Sequence, residues 1–119
     1  VPTLDEGKDN VGVATLLDGA ETYAYPNPFS PTRHDADYSR TKIHYSLSND
    51  ARITIALYSY DGRKLRELVN NAYRSGKRDY DEMWDGRDER NAIVPNGVYI
   101  YVIITNTGKT ARGKIVVLD

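Results

Sequence analysis

From Tyr23 onward, apolar and polar residues alternate along the chain in short runs. In "TKIHYSL" (41–47), Ile43, Tyr45 and Leu47 alternate with Lys42, His44 and Ser46. In "ARITIALYSY" (51–60), Ile53, Ile55 and Leu57 alternate with Arg52, Thr54 and Ala56. A period of two places one set of side chains on a core and the other in solvent, so each run predicts a half-buried strand. "SND" at 48–50 separates the two as a hairpin turn would. "RKLRELV" (63–69) carries Leu65 and Leu68 three apart, a spacing open to helix. The turn before it and "NN" after it favour strand. "RDYDEMW" (78–84) reads as a polar strand ending on Trp84. "GVYIYVIIT" (97–105) is apolar at both parities, which predicts a strand in the interior of a sheet. "ARGKIVVL" (111–118) is the last strand.

Turn chemistry punctuates these runs. Asp61-Gly62 predicts a hairpin through a primed turn with positive φ at both central positions. "RSGK" (74–77) and "NTGK" (106–109) read as loops, and Pro95-Asn96-Gly97 as a β-turn that launches the strand after it. About seven short strands with regular turns and no convincing helix predict an all-β fold, an immunoglobulin-like (fibronectin III-like) antiparallel β-sandwich. Residues 1–22 are expected to be a linker or leader ahead of a domain over 23–119. "DEGKDN" has no apolar period, and "VGVATLL" is open between a short strand and a linker.

Composition narrows the function classes. The chain has 119 residues, enough for one domain with a core that needs no staples, and no cysteine, which removes disulfide and thiolate chemistry. Net charge is −1, with 16 basic and 17 acidic residues, so there is no broad basic field and nucleic acid is not an expected partner. Five acids against Lys8 alone make residues 1–22 the acidic part. No apolar run approaches the roughly 20 residues that span a bilayer, and no signal peptide is visible. The chain opens on Val1, which suggests a piece of something longer.

The densest candidate chemistry lies in and before "WDGRDERNAIVPNGVYIY" (84–101). Asp81, Glu82, Asp85, Asp88 and Glu89 offer hard oxygens suited to calcium. Their spacing is not that of an EF-hand loop, and Arg87 and Arg90 sit among them. A tight turn at Asp85-Gly86 followed by a solvated loop is the simpler reading, so no metal or other cofactor is expected. A catalytic pair needs a cleft that raises one carboxyl's pKa, and acids three apart in a loop do not make one. There is no HExxH, no GxSxG and no phosphate-cradling glycine loop, and His34 and His44 are the only histidines. His34 falls in a loop and His44 on the solvent side of a strand. The chain is therefore expected not to be an enzyme.

Ten tyrosines against one phenylalanine raise the question of a binding surface. Tyr58 and Tyr60 fall on the outward register of their strand and could stack on sugar rings. Tyrosine also suits the surface of a sheet without any ligand. Trp84 is expected in the core. Arg74, Lys77 and Arg78, interleaved with Tyr73 and Tyr80, suggest a single-strand nucleic-acid patch, but Asp79, Asp81 and Glu82 offset it.

Several pieces occur in a telling order: "YPNPFSP" (25–31), "TKIHYSL", "ITIALYSYDGRKLREL" (53–68), Gly76, "WDGRDERNAIVPNGVYIY" and "GKIVVL" (113–118). Over about residues 23–119 the chain resembles the C-terminal immunoglobulin-like domains shared by the flagellar hook-capping protein and the sorting domains of type IX secretion. Asn91 stands where that family usually has glycine, and asparagine also tolerates positive φ. The resemblance implies a non-catalytic C-terminal module of a secreted or cell-surface bacterial protein. Its role would be sorting or anchoring, or that of a structural part of an assembly. The alternative is a carbohydrate-binding module appended to a secreted glycoside hydrolase. The resemblance also implies that Tyr99, Tyr101 and Ile103 point inward, with Trp84 near them.

Partners are expected at sheet edges. "YAYPNPF" and "ARGKIVVL" both lie where edge strands could form. Pro26 and Pro28 cannot donate ladder hydrogen bonds and protect the first. The second has no proline, so Lys114, Ile115, Val116, Val117 and Leu118 are the expected contact segment for secretion machinery, a neighbouring domain or a second copy. Only one of the pairs Ile115/Val117 and Val116/Leu118 can face the core.

Overall fold

The computed structural model describes residues 14–16, 20–35 and 37–119. Among them are eight strands and no helix: β1 (Ala14–Leu16), β2 (Ala20–Tyr25), β3 (Thr41–Leu47), β4 (Ala51–Ser59), β5 (Lys64–Arg74), β6 (Arg78–Trp84), β7 (Gly97–Thr105) and β8 (Thr110–Val117). They form two antiparallel sheets, ordered β1-β2-β3-β6 and β5-β4-β7-β8. The seven runs expected to be strands are β2 to β8, and β5 settles the helix-or-strand ambiguity as strand. The leader expected over 1–22 lies outside the described residues at 1–13 and 17–19. The sandwich itself begins before Tyr23, since β1 pairs with β2 and Thr22 is fully buried.

The alternation fixes which side chains go inside. Ile43, Tyr45 and Leu47 of β3 face Ile53, Ile55 and Leu57 of β4, Tyr99, Tyr101 and Ile103 of β7, and Ile115 and Val117 of β8. Each fully buried large side chain contributes about 1.5–3 kcal/mol relative to exposure, and this facing set is the main source of stability. The polar positions between them lie on the two outer faces.

Three local expectations change. β3 and β4 do not form a hairpin across 48–50, because they belong to opposite sheets. Both strands bury alternate residues equally well, so the pattern cannot tell pairing side by side from facing across a core. The crossing is tied down by Lys77, whose N–H donates to the Leu47 carbonyl at 2.6 Å. It is also held by Gly76, where a Cβ would lie 2.5 Å from the Asn49 backbone. The β4–β5 hairpin at Asp61-Gly62 does form, but positive φ occurs only at Gly62 (95°). The Gly62 N–H donates to the Ser59 carbonyl, and the Ser59 N–H to that of Arg63, closing a three-residue loop with glycine in the left-handed position. β5 also runs past "NN": Asn71, at φ 51°, forms a bulge whose N–H donates to Thr54 Oγ1 at 3.0 Å.

The centre of the sandwich carries one deliberate polar contact. Thr22 Oγ1 donates to the His44 carbonyl at 2.6 Å and shares a 3.0 Å hydrogen bond with the Tyr101 hydroxyl. The Tyr101 ring occupies the space that a side chain at Gly113, its cross-strand neighbour, would need: a Cβ there would be 2.5 Å from the tyrosine oxygen. Burial pushes the Tyr101 hydroxyl up to about 12, with the Thr22 hydrogen bond pulling slightly the other way. An unfolded tyrosine ionises near 10, so above that pH the unfolded chain binds fewer protons than the folded one. The stability associated with Tyr101 is therefore complete below about pH 10 and is lost as pH rises from there towards 12, by roughly 2 kcal/mol. Urea unfolding between pH 9 and 11.5 is expected to show this fall, and Tyr101→Phe should make it shallower, with the remaining slope coming from Tyr45, whose hydroxyl burial also pushes upward. An unchanged slope in that variant would contradict the assignment.

Candidate functional site

The acid-rich segment is a turn built around Trp84. That residue ends β6 fully buried, with its ring edge-on to Phe29 (centroids 5.6 Å apart) and to Tyr99 (5.8 Å). Its Nε1–H donates to the Arg87 carbonyl at 3.0 Å, so the core residue closes the loop that follows it. Gly86 reverses the chain at φ 79°, a conformation few side chains accept, and a Cβ there would strike Pro31 at 2.5 Å. Asp85 Oδ1 accepts the Arg87 N–H at 3.1 Å and Arg66 Nη1 at 3.2 Å. Asp88 Oδ1 accepts the N–H groups of Arg90 (2.9 Å) and Ala92 (3.0 Å), and Asn91 completes the bend at φ 68°. The asparagine thus supplies the left-handed residue that this turn requires.

The acids considered for calcium are thereby dispersed. Asp85 and Asp88 serve backbone N–H groups, and the exposed Glu89 gives its own N–H to the Leu65 carbonyl at 3.1 Å. Asp81 lies on the outer face of β6, against His44 Nδ1 at 2.8 Å. Among the described residues no three histidine or carboxylate side chains converge as a metal site would require.

Glu82 differs from the other acids because it faces inward from an edge strand. Its Oε2 accepts the Tyr45 hydroxyl at 2.8 Å and Arg74 Nε and Nη2 at 3.2 and 3.0 Å. Arg74 belongs to β5, so this ion pair joins the edges of the two sheets. Burial works against the charge on Arg74, but the Glu82 carboxylate outweighs it and the guanidinium pKa rises. Burial and then Glu82 push the Tyr45 hydroxyl upward, which keeps it a donor. The Tyr80 ring stacks on Tyr45 (5.5 Å) and lies under Arg74 and Arg78. The suggested basic patch is thus divided, with Arg74 committed to Glu82 and Arg78 to an aromatic ring. The period-two pattern of "RDYDEMW" put Glu82 in register with Tyr80 and Trp84, the signal that could have exposed it.

The terminal strand departs most from expectation. Ile115 and Val117 are fully buried, while Val116 is half-buried and Leu118 is 58% exposed. The edge from Lys114 to Leu118 is already occupied from within the chain. Phe29 donates to the Val116 carbonyl at 3.0 Å and accepts the Leu118 N–H at 2.9 Å. Asn27 accepts the Val116 N–H through Oδ1 at 2.8 Å and donates from Nδ2 to the Lys114 carbonyl at 2.9 Å. Asp119 adds a clasp, since its Oδ1 accepts Ser30 Oγ at 2.7 Å and Thr32 Oγ1 at 2.9 Å. Those bonds, Ser30 first, hold its carboxyl below the ordinary range. An incoming strand finds these β8 groups taken. "YPNPF" is therefore the cover of the β8 edge.

Aromatic side chains do gather outside, at a place the sequence reading passed over. On the outer face of sheet β1-β2-β3-β6, Tyr23 stacks on His44 at 4.8 Å and stands 5.7 Å from Tyr25. His44, expected in solvent, is half-buried between Asp81 and Asp79. A cleft of about 390 Å³ opens beside them, lined by Tyr25, Pro26, Asp37, Arg40, Lys42 and Met83. The alternation of "TYAYP" carried that signal. Tyr58 and Tyr60 form no such group: Tyr58 lies in the outer face of the other sheet, and Tyr60 projects from the hairpin tip, 70% exposed. No ring contact joins them.

Comparison of the fold with solved structures places it. The chain superimposes on part of PorZ, an essential bacterial surface component of the type-IX secretion system of Porphyromonas gingivalis, with a TM-score of 0.52 and 18% identity. The fold is shared with a second protein of that organism. In dimeric latent PorU the TM-score is 0.59 at 19% identity. Each match covers 82% of this chain, but only 11% of PorZ and 9% of PorU, so the chain spans about a tenth of those proteins. No protein-family model and no curated protein matches the chain. Among the described residues no helix is long and apolar enough to cross a membrane.

Proposed function

We propose that this chain is a non-catalytic, immunoglobulin-like module of a bacterial protein that is secreted or held at the cell surface, and that it serves secretion sorting, anchoring or assembly through a type IX system. The observation that carries this reading is the common fold with a segment of PorZ, a surface component of that system. The ordered set "YPNPF", "WDG" and "GVY" supports it from the sequence side, because each piece has a structural task here. The first covers the β8 edge, the second turns the chain out of the core at Trp84, and the third opens β7. Asp81, Glu82, Asp85 and Asp88 are engaged in turns, ion pairs and hydrogen bonds, which supports a role without catalysis. Carbohydrate binding through Tyr58 and Tyr60 has no comparable support.

The test is a fusion of residues 1–119 behind a periplasmic reporter in a bacterium with a type IX system. Export of the reporter to the surface or medium, absent in a machinery-deficient strain and absent without the module, is the expected result. A folded module whose reporter stays in the periplasm of the competent strain would reject the sorting role. Deleting residues 114–119 would be a poor probe, because it takes Ile115 and Val117 out of the core.

A further inference from the structure

With the β8 edge covered, the broad faces of the sandwich remain as large exposed surfaces among the described residues, and they are chemically unlike. β7 lies between β4 and β8, so the residues alternating with its buried tyrosines form the middle of an outer face: Val98, Ile100, Val102 and Ile104, the last 44% exposed. Ala56 and Tyr58 of β4 flank them in register with Val102 and Ile100. On the other side, Arg112 and Lys114 stand opposite Val102 and Ile100. Among the described residues neither cation has an ion-pair partner. An apolar strip beside two uncompensated cations is a surface that another protein would bury.

The opposite face of the same molecule has the complementary chemistry. Asp79 and Asp81 alternate along the outer side of β6, as Arg112 and Lys114 do along β8, and both pairs therefore repeat at about 7 Å. Exposed Met83 follows the two acids, and the Tyr23 and His44 rings lie across the same sheet. The molecule measures 37 × 30 × 23 Å, so a broad face has room for the roughly 800 Å² per partner that a standard interface buries. Two copies of the cationic apolar face placed against each other along β8 would set like charges together. One such face against the acidic aromatic face can set Arg112 and Lys114 over Asp79 and Asp81, with Lys42, opposite Met83, at the end of the row away from Asp79.

We infer that copies of this module associate head to tail, the β4-β7-β8 outer face of one on the β2-β3-β6 outer face of the next. Such a contact joins two different patches and leaves one of each free, so association continues with concentration and does not stop at a dimer. It builds an array from faces, not from β-addition at an edge, and it gives the assembly role proposed above a physical means.

Sedimentation velocity of residues 1–119 across a wide concentration range tests the idea without reference to export, so its failure and that of the sorting role are separable. Wild type is expected to show rising average mass, weakened at least tenfold by raising salt from 50 to 500 mM. Two variants are then made, Ile100→Asp with Ile104→Asp on one face, and Asp79→Lys with Met83→Lys on the other, each checked for a native melting transition. Each alone is expected to form no assembly, while an equimolar mixture forms a dimer and stops there, because one intact face of each kind remains. Wild type that stays monomeric at millimolar concentration overturns the inference. So does an Asp79→Lys/Met83→Lys variant that dimerises by itself, since that would show a symmetric contact of the apolar face. Monomeric variants whose mixture also stays monomeric would overturn the pairing of these two faces.

Discussion

Trp84→Ala is expected to remove about 3–5 kcal/mol of stability, the range for deleting a buried aromatic, from a domain whose total is on the order of 5–15 kcal/mol. The residue is fully buried and bridges Phe29, which covers the β8 edge, to Tyr99 on the central strand. Its loss opens a cavity between Phe29 and Tyr99. It also frees the Arg87 carbonyl, which Trp84 and Arg66 together hold in place. Trp84→Phe separates these effects, because it keeps most of the packing and loses the hydrogen bond, at a cost of roughly 1–2 kcal/mol beyond the smaller ring. Urea unfolding followed by circular dichroism measures both. A loss below about 1 kcal/mol for the alanine variant would mean that Trp84 does not organise the core as described.

Arg74→Met is expected to be the most damaging substitution of an ion-pair residue, at roughly 2–4 kcal/mol, because it strands the Glu82 carboxylate on the inner side of β6 with only the Tyr45 hydroxyl for company. The figure sits below that for a fully buried pair since the side chains of Arg74 and Glu82 keep 25% and 18% exposure. The triple variant Tyr45→Phe, Arg74→Met, Glu82→Leu replaces every member of the group by an apolar one and is expected to return within about 1 kcal/mol of wild type. It should nonetheless behave worse in solution. β6 pairs with β3 alone, and an inward-pointing charge on an edge strand deters another strand from docking there. Light scattering on the heated triple variant should show aggregation that the wild type resists. If the triple variant were as unstable as Arg74→Met, the cost would lie in packing and not in the stranded charge.

These two predictions rest on different kinds of information. Trp84 was expected in the core, and the inward tyrosines of "VYIYVI" came from the family resemblance, because that run is apolar at both parities and its alternation alone does not choose a face. The alternation of "RDYDEMW" put Glu82 on the inner register. What it could not supply was Arg74, whose position relative to Glu82 depends on a crossing between sheets. Tyr58 was read correctly as outward, but the exposed aromatic cluster formed around Tyr23, Tyr25 and His44, brought together by the pairing of β2 with β3. The hairpin expected at 48–50 failed for a related reason: alternation fixes a strand's buried face but says nothing of the sheet in which it sits.

By itself the sequence determined most of the strands, the inward faces of β3 and β4, and the turns at Gly62 and Gly86. Each of these follows from steric and solvation rules acting within a few residues. Only the tertiary structure decided that Asn27 and Phe29 would close the β8 edge. That contact joins residues 87 and 89 positions apart. Backbone groups that look free in an isolated strand take whatever partner the fold brings near, because leaving them unpaired in a buried setting costs more than any local preference. Among the described residues β7 also turns Val98, Ile100, Val102 and Ile104 to the outside of its sheet. Its alternation was fixed locally, but whether a second layer lies over it is decided by where the remaining chain goes.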